Sequence, residues 1–178
     1  MTTQPSLALV APDARYATAF RALLADYHAV GELFFSMGTE ARIAQGFAGY
    51  LTHLAAMARG EGLSPGVVPE TMYWLVRDGT EVLGASRLRH QLTPALEDAG
   101  GHIGYSIRPS ARGQGYGTLQ LALTLERARA LGLARVLLTC DTANIASARV
   151  IEGNGGVLKS ASYSAITGTE IARYWIAL

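Results

Sequence analysis

The chain has 178 residues, 49% of them hydrophobic, and a formal net charge of +1. That length and apolar content suit one domain over residues 1–178 with a sizeable core, and exclude a disordered chain. The near-neutral balance excludes a polyanion-binding surface, so no nucleic-acid partner is expected.

The patch at residues 7–11 is apolar but short, and no basic leader precedes it. Neither a signal peptide nor a membrane span is expected. Cys140 is the only cysteine, so no internal disulfide can form, which fits a reducing cytoplasm. It sits in an apolar run, where a thiol behaves as a small hydrophobe. No Cys/His cluster has metal-ligand spacing, so no metal is expected.

Residues 13–30 read as a helix, with Asp13 as N-cap and Tyr16, Phe20, Leu23, Leu24 and Tyr27 as one apolar stripe. Residues 31–38 form a loop rich in apolar side chains (Leu33, Phe34, Phe35, Met37), which suits core or the lip of a pocket. A second helix is expected over 39–59, with the stripe Ile43, Phe47, Tyr50, Leu51 and Leu54, and ends at Gly60 and Gly62. Pro65, Gly66 and Pro69 mark a loop. Residues 71–77 and 80–89 then read as a β-hairpin turned by Asp78-Gly79. Leu83, Ala85 and Leu88 are its buried set. Arg87, Arg89 and His90 project polar groups that suit either a solvated face or an acceptor pocket for an acidic group.

Residues 91–101 read as a connection, and 102–107 as a strand stopped by Pro109. Next comes Arg112-Gly113-Gln114-Gly115-Tyr116-Gly117, then a helix from about 118 to 131 ended by Gly132. In that helix Leu121, Leu125 and Ala128 share one face, and Gln120, Thr124 and Arg127 another. Residues 135–140 are a near-continuous apolar strand, as expected with both faces covered. Strand, helix and strand at this length form a right-handed parallel unit. A short helix at 144–152 and two strands, 157–163 and 170–178, complete the chain.

A strand, a glycine-rich turn and a helix in that order can hold a phosphate. Glycine permits turn angles and close approach, and the helix N-terminus adds unpaired N–H groups and partial positive charge. Arg112 would add a full charge at the mouth. A Walker loop is excluded, because its lysine and spacing are missing. A dinucleotide fingerprint starts at Gly113 and Gly115 but meets Thr118 at its third position. Arg-x-x-Gly-x-Gly fits, read as Arg112, Gly115 and Gly117.

That loop resembles the pyrophosphate loop of the GNAT acetyltransferase superfamily. So do His102-Ile103-Gly104-Tyr105-Ser106-Ile107-Arg108-Pro109, Leu137 to Asp141, Asn144, Ser147 and Asn154-Gly155-Gly156, which together are similar to a bacterial branch of acetyltransferases. The similarity spans roughly residues 73–178. It implies an α/β (α+β layered) GNAT acyl-CoA N-acyltransferase fold, a mixed central sheet with helices on both faces. It also implies acetyl-CoA as co-substrate and a small-molecule or protein amine as acceptor, and it is compatible with a homodimer.

The resemblance implies roles residue by residue. N–H groups of Arg112, Gly113, Gln114, Gly115, Tyr116 and Gly117 would hold the CoA pyrophosphate. Ser106, Ile107 and Arg108 would pair with the pantetheine arm in the gap where this strand and 135–140 splay apart. An N–H near Ile107 would polarise the thioester carbonyl. Asn144 would touch pantetheine, cap the short helix, or do both. His102 occupies the position of the glutamate base of many relatives, and suits either that role or that of a strand-edge histidine that hydrogen-bonds a neighbour. The tyrosine that protonates the leaving thiolate in many relatives is replaced by Ile151, leaving Tyr105, Tyr163 or water. The implied activity is acetyl transfer to an amine by direct attack. The alternative is a protein of this fold that binds or senses acyl-CoA without turnover.

Overall fold

The computed structural model describes residues 5–36 and 38–178. Met37, grouped above with the apolar loop, lies outside them. The seven strands among the described residues form two antiparallel sheets rather than one continuous ladder. β1 (Leu7–Val10), β2 (Glu70–Arg77), β3 (Glu81–Arg89) and β4 (Ile103–Ile107) lie side by side in that order. β5 (Arg135–Asp141), β7 (Thr169–Ala177) and β6 (Val157–Ser164) make the second sheet, with β7 in the middle.

Helices cover both faces of the first sheet. On one face sit α1 (Ala17–Ala29), α2 (Thr39–Ala44) and α3 (Phe47–Arg59). Their stripe packs Phe20, Leu23, Tyr27, Ile43 and Tyr50 against Met72, Trp74, Val82 and Ala85. Phe20 stacks on Trp74 at 4.3 Å between ring centroids, the centre of an aromatic cluster. Phe34 joins this core, as one of the two expected roles of the loop requires, while Leu33 is 82% exposed. On the other face α5 (Tyr116–Ala130) and α6 (Ile145–Glu152) close a core of Leu121, Leu125, Val136, Leu138, Ile151 and Tyr174.

The hairpin turn is as local chemistry requires: Asp78 and Gly79 both take positive φ, at 49° and 66°, the pairing of a two-residue turn that follows the strand twist. Three elements depart from the sequence expectation. The helix expected over 39–59 is two helices, because Gly46 sits at φ 133°, outside helical space. The apolar period runs across the break, so it does not reveal it. The patch at 7–11 is the edge strand β1, paired with β2. The connection at 91–101 contains α4 (Pro94–Asp98), capped by the Thr93 hydroxyl on the Leu96 N–H, with proline in the first turn.

Buried polar groups lock α5 onto β3. Gln120 and Thr124, read from sequence as a second face, are fully buried. Gln120 Nε2 donates to Ala85 O at 2.7 Å, and Thr124 Oγ1 meets Ser86 Oγ at 2.8 Å.

Candidate active site

β4 and β5 meet at one point and then part. His102 N–H donates to Leu137 O at 2.7 Å, and Leu137 N–H returns a bond to His102 Nδ1 at 2.9 Å. Among the described residues no further backbone bond joins β4 to β5. The strand–helix–strand unit therefore opens into a gap instead of closing a parallel ladder.

The edge of β4 facing that gap is set by its pairing with β3. Arg108 N–H donates to Leu83 O at 2.8 Å and Arg89 N–H to His102 O at 2.7 Å. Pairs in an antiparallel ladder alternate, so Gly104 and Ser106 also turn their amides to β3. The N–H groups of Tyr105 and Ile107 point the other way, to the gap. Of the segment 106–108 expected to pair with a cofactor arm, only Ile107 thus offers a free amide, and Tyr105 joins it. The Ile107 carbonyl is already held, by Tyr27 Oη at 3.0 Å and Arg112 Nε at 3.1 Å.

The glycine loop follows. Pro109 starts a 3-10 turn that ends at Ala111, and Gly113 and Gly115 take φ of 76° and 82°. Neither would crowd a neighbour with a β-carbon, so the left-handed backbone is what requires glycine there. At Gly117 crowding is the cause: a β-carbon would stand 3.3 Å from Val150 of α6. From Gly113 to Thr118 no backbone N–H has an acceptor among the described residues. Six consecutive donors at the N-terminus of α5 make an anion cradle.

The arginines beside the loop are spent elsewhere. Arg112 was expected to bring a full charge to the mouth. Its fork instead lies on Glu32, at 2.8 and 2.6 Å, and raises its own pKa while lowering that of the carboxyl. Arg108 bonds Asp26 at 2.9 Å and Glu81 at 3.3 Å. Both side chains tie the loop region to α1 and the residues after it, leaving its cradle to backbone donors. Gln114 is exposed, and Tyr116 Oη accepts from Arg77 at 3.2 Å. Asn144 caps α6, its Oδ1 accepting from Ser147 N–H at 3.0 Å.

His102 is 6% exposed, and its pKa is pushed down to about 4, by burial first and by the Arg89 charge second. With Nδ1 accepting a hydrogen bond, the neutral ring carries its proton on Nε2. The arrangement is that of a pin between sheets and does not fit the base expected at this position. Ile151 is fully buried in the core, so the familiar tyrosine position offers no proton donor.

A hydroxyl to which the sequence assigned no role, that of Ser147, stands across the gap from Tyr105. Tyr105 Oη on β4 lies 3.0 Å from Ser147 Oγ on α6 and 3.3 Å from Ser147 O. Burial holds the Tyr105 hydroxyl at a pKa of about 12, so it stays protonated. Tyr163, the other candidate, is 69% exposed on β6. The Cys140 thiol lies beside Ser147, its pKa raised by burial. The spacing of Ser147 three residues after Asn144 was the available signal, since it places the hydroxyl in the first turn of α6.

Residues 7–157 match the family described as the acetyltransferase (GNAT) domain. The chain belongs to the GNAT acetyltransferase family. No curated protein matches it in sequence. Among solved structures it is similar to the Salmonella typhimurium acetyltransferase that modifies the N-terminal serine of ribosomal protein L7/L12, with a TM-score of 0.67 and 18% identity over 97% of this chain and 95% of that one. It is also similar to Mycobacterium smegmatis RimJ in complex with CoA-disulfide, with a TM-score of 0.70 and 21% identity over 96% of this chain and 81% of that one. The microcin C7 self-immunity acetyltransferase MccE, in complex with acetyl-CoA and AMP, gives 0.67 and 15% over 97% and 92%. At these identities the likeness is one of fold. The GNAT fold accounts for the splayed strands and the loop leading into α5.

Among the described residues no helix is long and apolar enough to cross a membrane, and no cluster of His, Cys, Asp and Glu could hold a metal ion.

Proposed function

We propose that this protein is an N-acetyltransferase that moves acetyl from acetyl-CoA to an amine by direct attack, in the cytoplasm. The observation that carries the reading is the unbroken run of free N–H groups from Gly113 to Thr118, opening beside the free edge of β4. Acetyl-CoA supplies an activated thioester. The loop donors hold its pyrophosphate, and the Tyr105 and Ile107 amides line the gap for its arm.

The Ile107 N–H donates to the carbonyl oxygen as it gains charge in the tetrahedral stage. The C–S bond then breaks, and as the Ser147 hydroxyl gives the leaving thiolate its proton it takes one from the Tyr105 hydroxyl, which solvent reprotonates. The amine's own proton passes to solvent. An α-amino group, with an ordinary pKa near 8, is partly neutral at physiological pH and suits a site without a base. His102 acts in this reading by fixing where β4 and β5 part.

Calorimetric titration with acetyl-CoA, on the wild type and on Gly117→Trp, tests the cradle. Binding to the wild type and its loss in the variant, with unfolding midpoints unchanged, supports the reading. A thiol-release assay over an amine library tests turnover. Binding without release for any amine would favour the acyl-CoA sensor; absence of binding would overturn both.

A further inference from the structure

A pocket of about 310 Å³ lies between α2, α3, the loop at residues 60–69 and the first sheet. Arg87 reaches it from β3, Arg42 from α2, Tyr50 and His53 from α3, and Glu70 from β2. Two of its polar atoms are buried with no hydrogen-bond partner among the described residues, Arg87 Nε and Tyr50 Oη. The Thr39 hydroxyl lies near Tyr50 but outside hydrogen-bond geometry. Buried donors without acceptors are rare in folded proteins, and both of these are donors only toward an anion: a guanidinium accepts nothing, and the tyrosine stays protonated, its pKa raised to about 12 by burial.

The charge agrees. Glu70 is the one carboxylate among the described lining residues, and Arg89 faces it at 3.5 Å from outside the pocket. Among the described residues neither Arg42 nor Arg87 has a carboxylate bound. Of the three basic residues that the sequence placed at the end of this hairpin, only Arg87 is available. Arg89 is buried on the carbonyls of Gly100 and Gly101 at 2.9 and 2.8 Å, and His90 meets Thr71 at 2.9 Å. The Phe35 ring, 5.3 Å from the Arg87 guanidinium carbon, holds that head in place.

The pocket is next to the gap. Arg87 pairs across the ladder with Gly104, which directly precedes Tyr105. A β-carbon on Gly104 would stand 3.3 Å from Arg87 Nε, so glycine keeps the way from the guanidinium to β4 clear. A group held by Arg87 therefore lies near Gly104 of β4, the strand whose other edge offers the Tyr105 and Ile107 amides. We infer that the acceptor amine carries an oxyanion, a carboxylate or a phosphate, which docks on Arg87 and Tyr50 in this pocket while its amino group reaches the gap. A planar guanidinium fork matches either group. The inference rests on the proposed transfer reaction for the identity of the ligand as acceptor, but the anion site stands on its own.

The test keeps the two apart. CoA is added first, so that the glycine loop is occupied. Inorganic phosphate and propionate are then titrated separately while the Arg87 Nε–Hε resonance is followed by NMR. A saturable shift with either anion is expected, and which anion binds tighter tells phosphate from carboxylate. No saturable shift with either would overturn the inference. Transfer rates are then compared for glycine against glycinamide and for O-phosphoethanolamine against ethanolamine. The acidic member of one pair should react about tenfold faster or more, and Arg87→Met should erase that preference. Preference unchanged in Arg87→Met would also overturn it. Assignment through the backbone lets the wild-type spectrum decide if the variant does not fold or no probe amine is acetylated. Failure of CoA to bind would count against the proposed reaction alone.

Discussion

His102 Nδ1 accepts the backbone N–H of Leu137 at 2.9 Å, while the His102 N–H donates to the Leu137 carbonyl at 2.7 Å. One residue of β5 is thus gripped on both its backbone polar groups by one residue at the foot of β4. The ring does what a ladder partner would do, once, and the strands then diverge. Trp175 of β7 closes on the imidazole edge at 6.2 Å between centroids. The gap between the strands has its apex here.

That geometry sets a pH dependence. Unfolded, a histidine titrates near 6.5; folded, His102 titrates at about 4. Between those values the unfolded chain binds the extra proton. Its contribution is therefore full above about pH 6.5 and is lost as pH falls toward 4, about 3 kcal/mol in all. Denaturant unfolding of wild type and His102→Gln at pH 4 to 7 should show a steeper acid loss in the wild type. The pH profile of transfer should keep its shape in the variant, since the role proposed for the ring is to pin the strands. Loss of an acid-limb ionisation in His102→Gln would restore the base role.

The Tyr105–Ser147 pair gives a different signature. Ser147→Ala should lower kcat by about 10- to 100-fold, the lower range for loss of a positioned acid, since a thiolate leaves without obligatory protonation. Tyr105→Phe should cost less, because serine remains. Acetyl-CoA affinity should move little in either. Equal losses in kcat and affinity would show that the pair positions the arm rather than donating a proton.

What the sequence discloses divides along a physical line. The Asp78-Gly79 turn, the glycine loop and the Asn144 cap depend on residues a few positions apart, and each carries its own signal. The His102 pin, the Tyr105–Ser147 pair and the Arg87 pocket join residues 35, 42 and up to 51 positions apart, by chain numbering. No local pattern encodes them. Charge misleads for the same reason: Arg89 and Arg112 look free until Gly100, Gly101 and Glu32 come to meet them. Gly46 shows the converse, a helix break hidden by an apolar period that continues through it.

Asp26 ties α1 to the loop, accepting from Arg108 Nε at 2.9 Å and Ser110 Oγ at 2.6 Å. These bonds, the Ser110 hydroxyl foremost, hold its carboxyl at a pKa of about 2 against an ordinary 3.8. The folded form therefore keeps its proton off, and the stabilisation is present above about pH 4 and lost as pH falls through 2. Asp26→Asn should cost about 2 kcal/mol at pH 7 and progressively less toward pH 2. Parallel urea titrations at the two pH values check it; a constant difference would assign the effect to packing.

Gly84 has no room for any side chain. A β-carbon there would stand 2.4 Å from Gln120 Oε1, 2.5 Å from Ser106 O and 2.6 Å from Ile107 Cδ1. Gln120 could swing, but the Ser106 carbonyl belongs to β4 itself. Gly84→Ala should therefore push β4 outward and destabilise the fold by about 2–3 kcal/mol. Because Ile107 shares that strand, acetyl-CoA affinity should fall with stability. Adding Gln120→Ala removes the softer contact and leaves the backbone one. The double variant should thus fail to recover affinity, measured by calorimetry on the folded fraction. Full recovery would place the clash in the glutamine alone and leave β4 where it is.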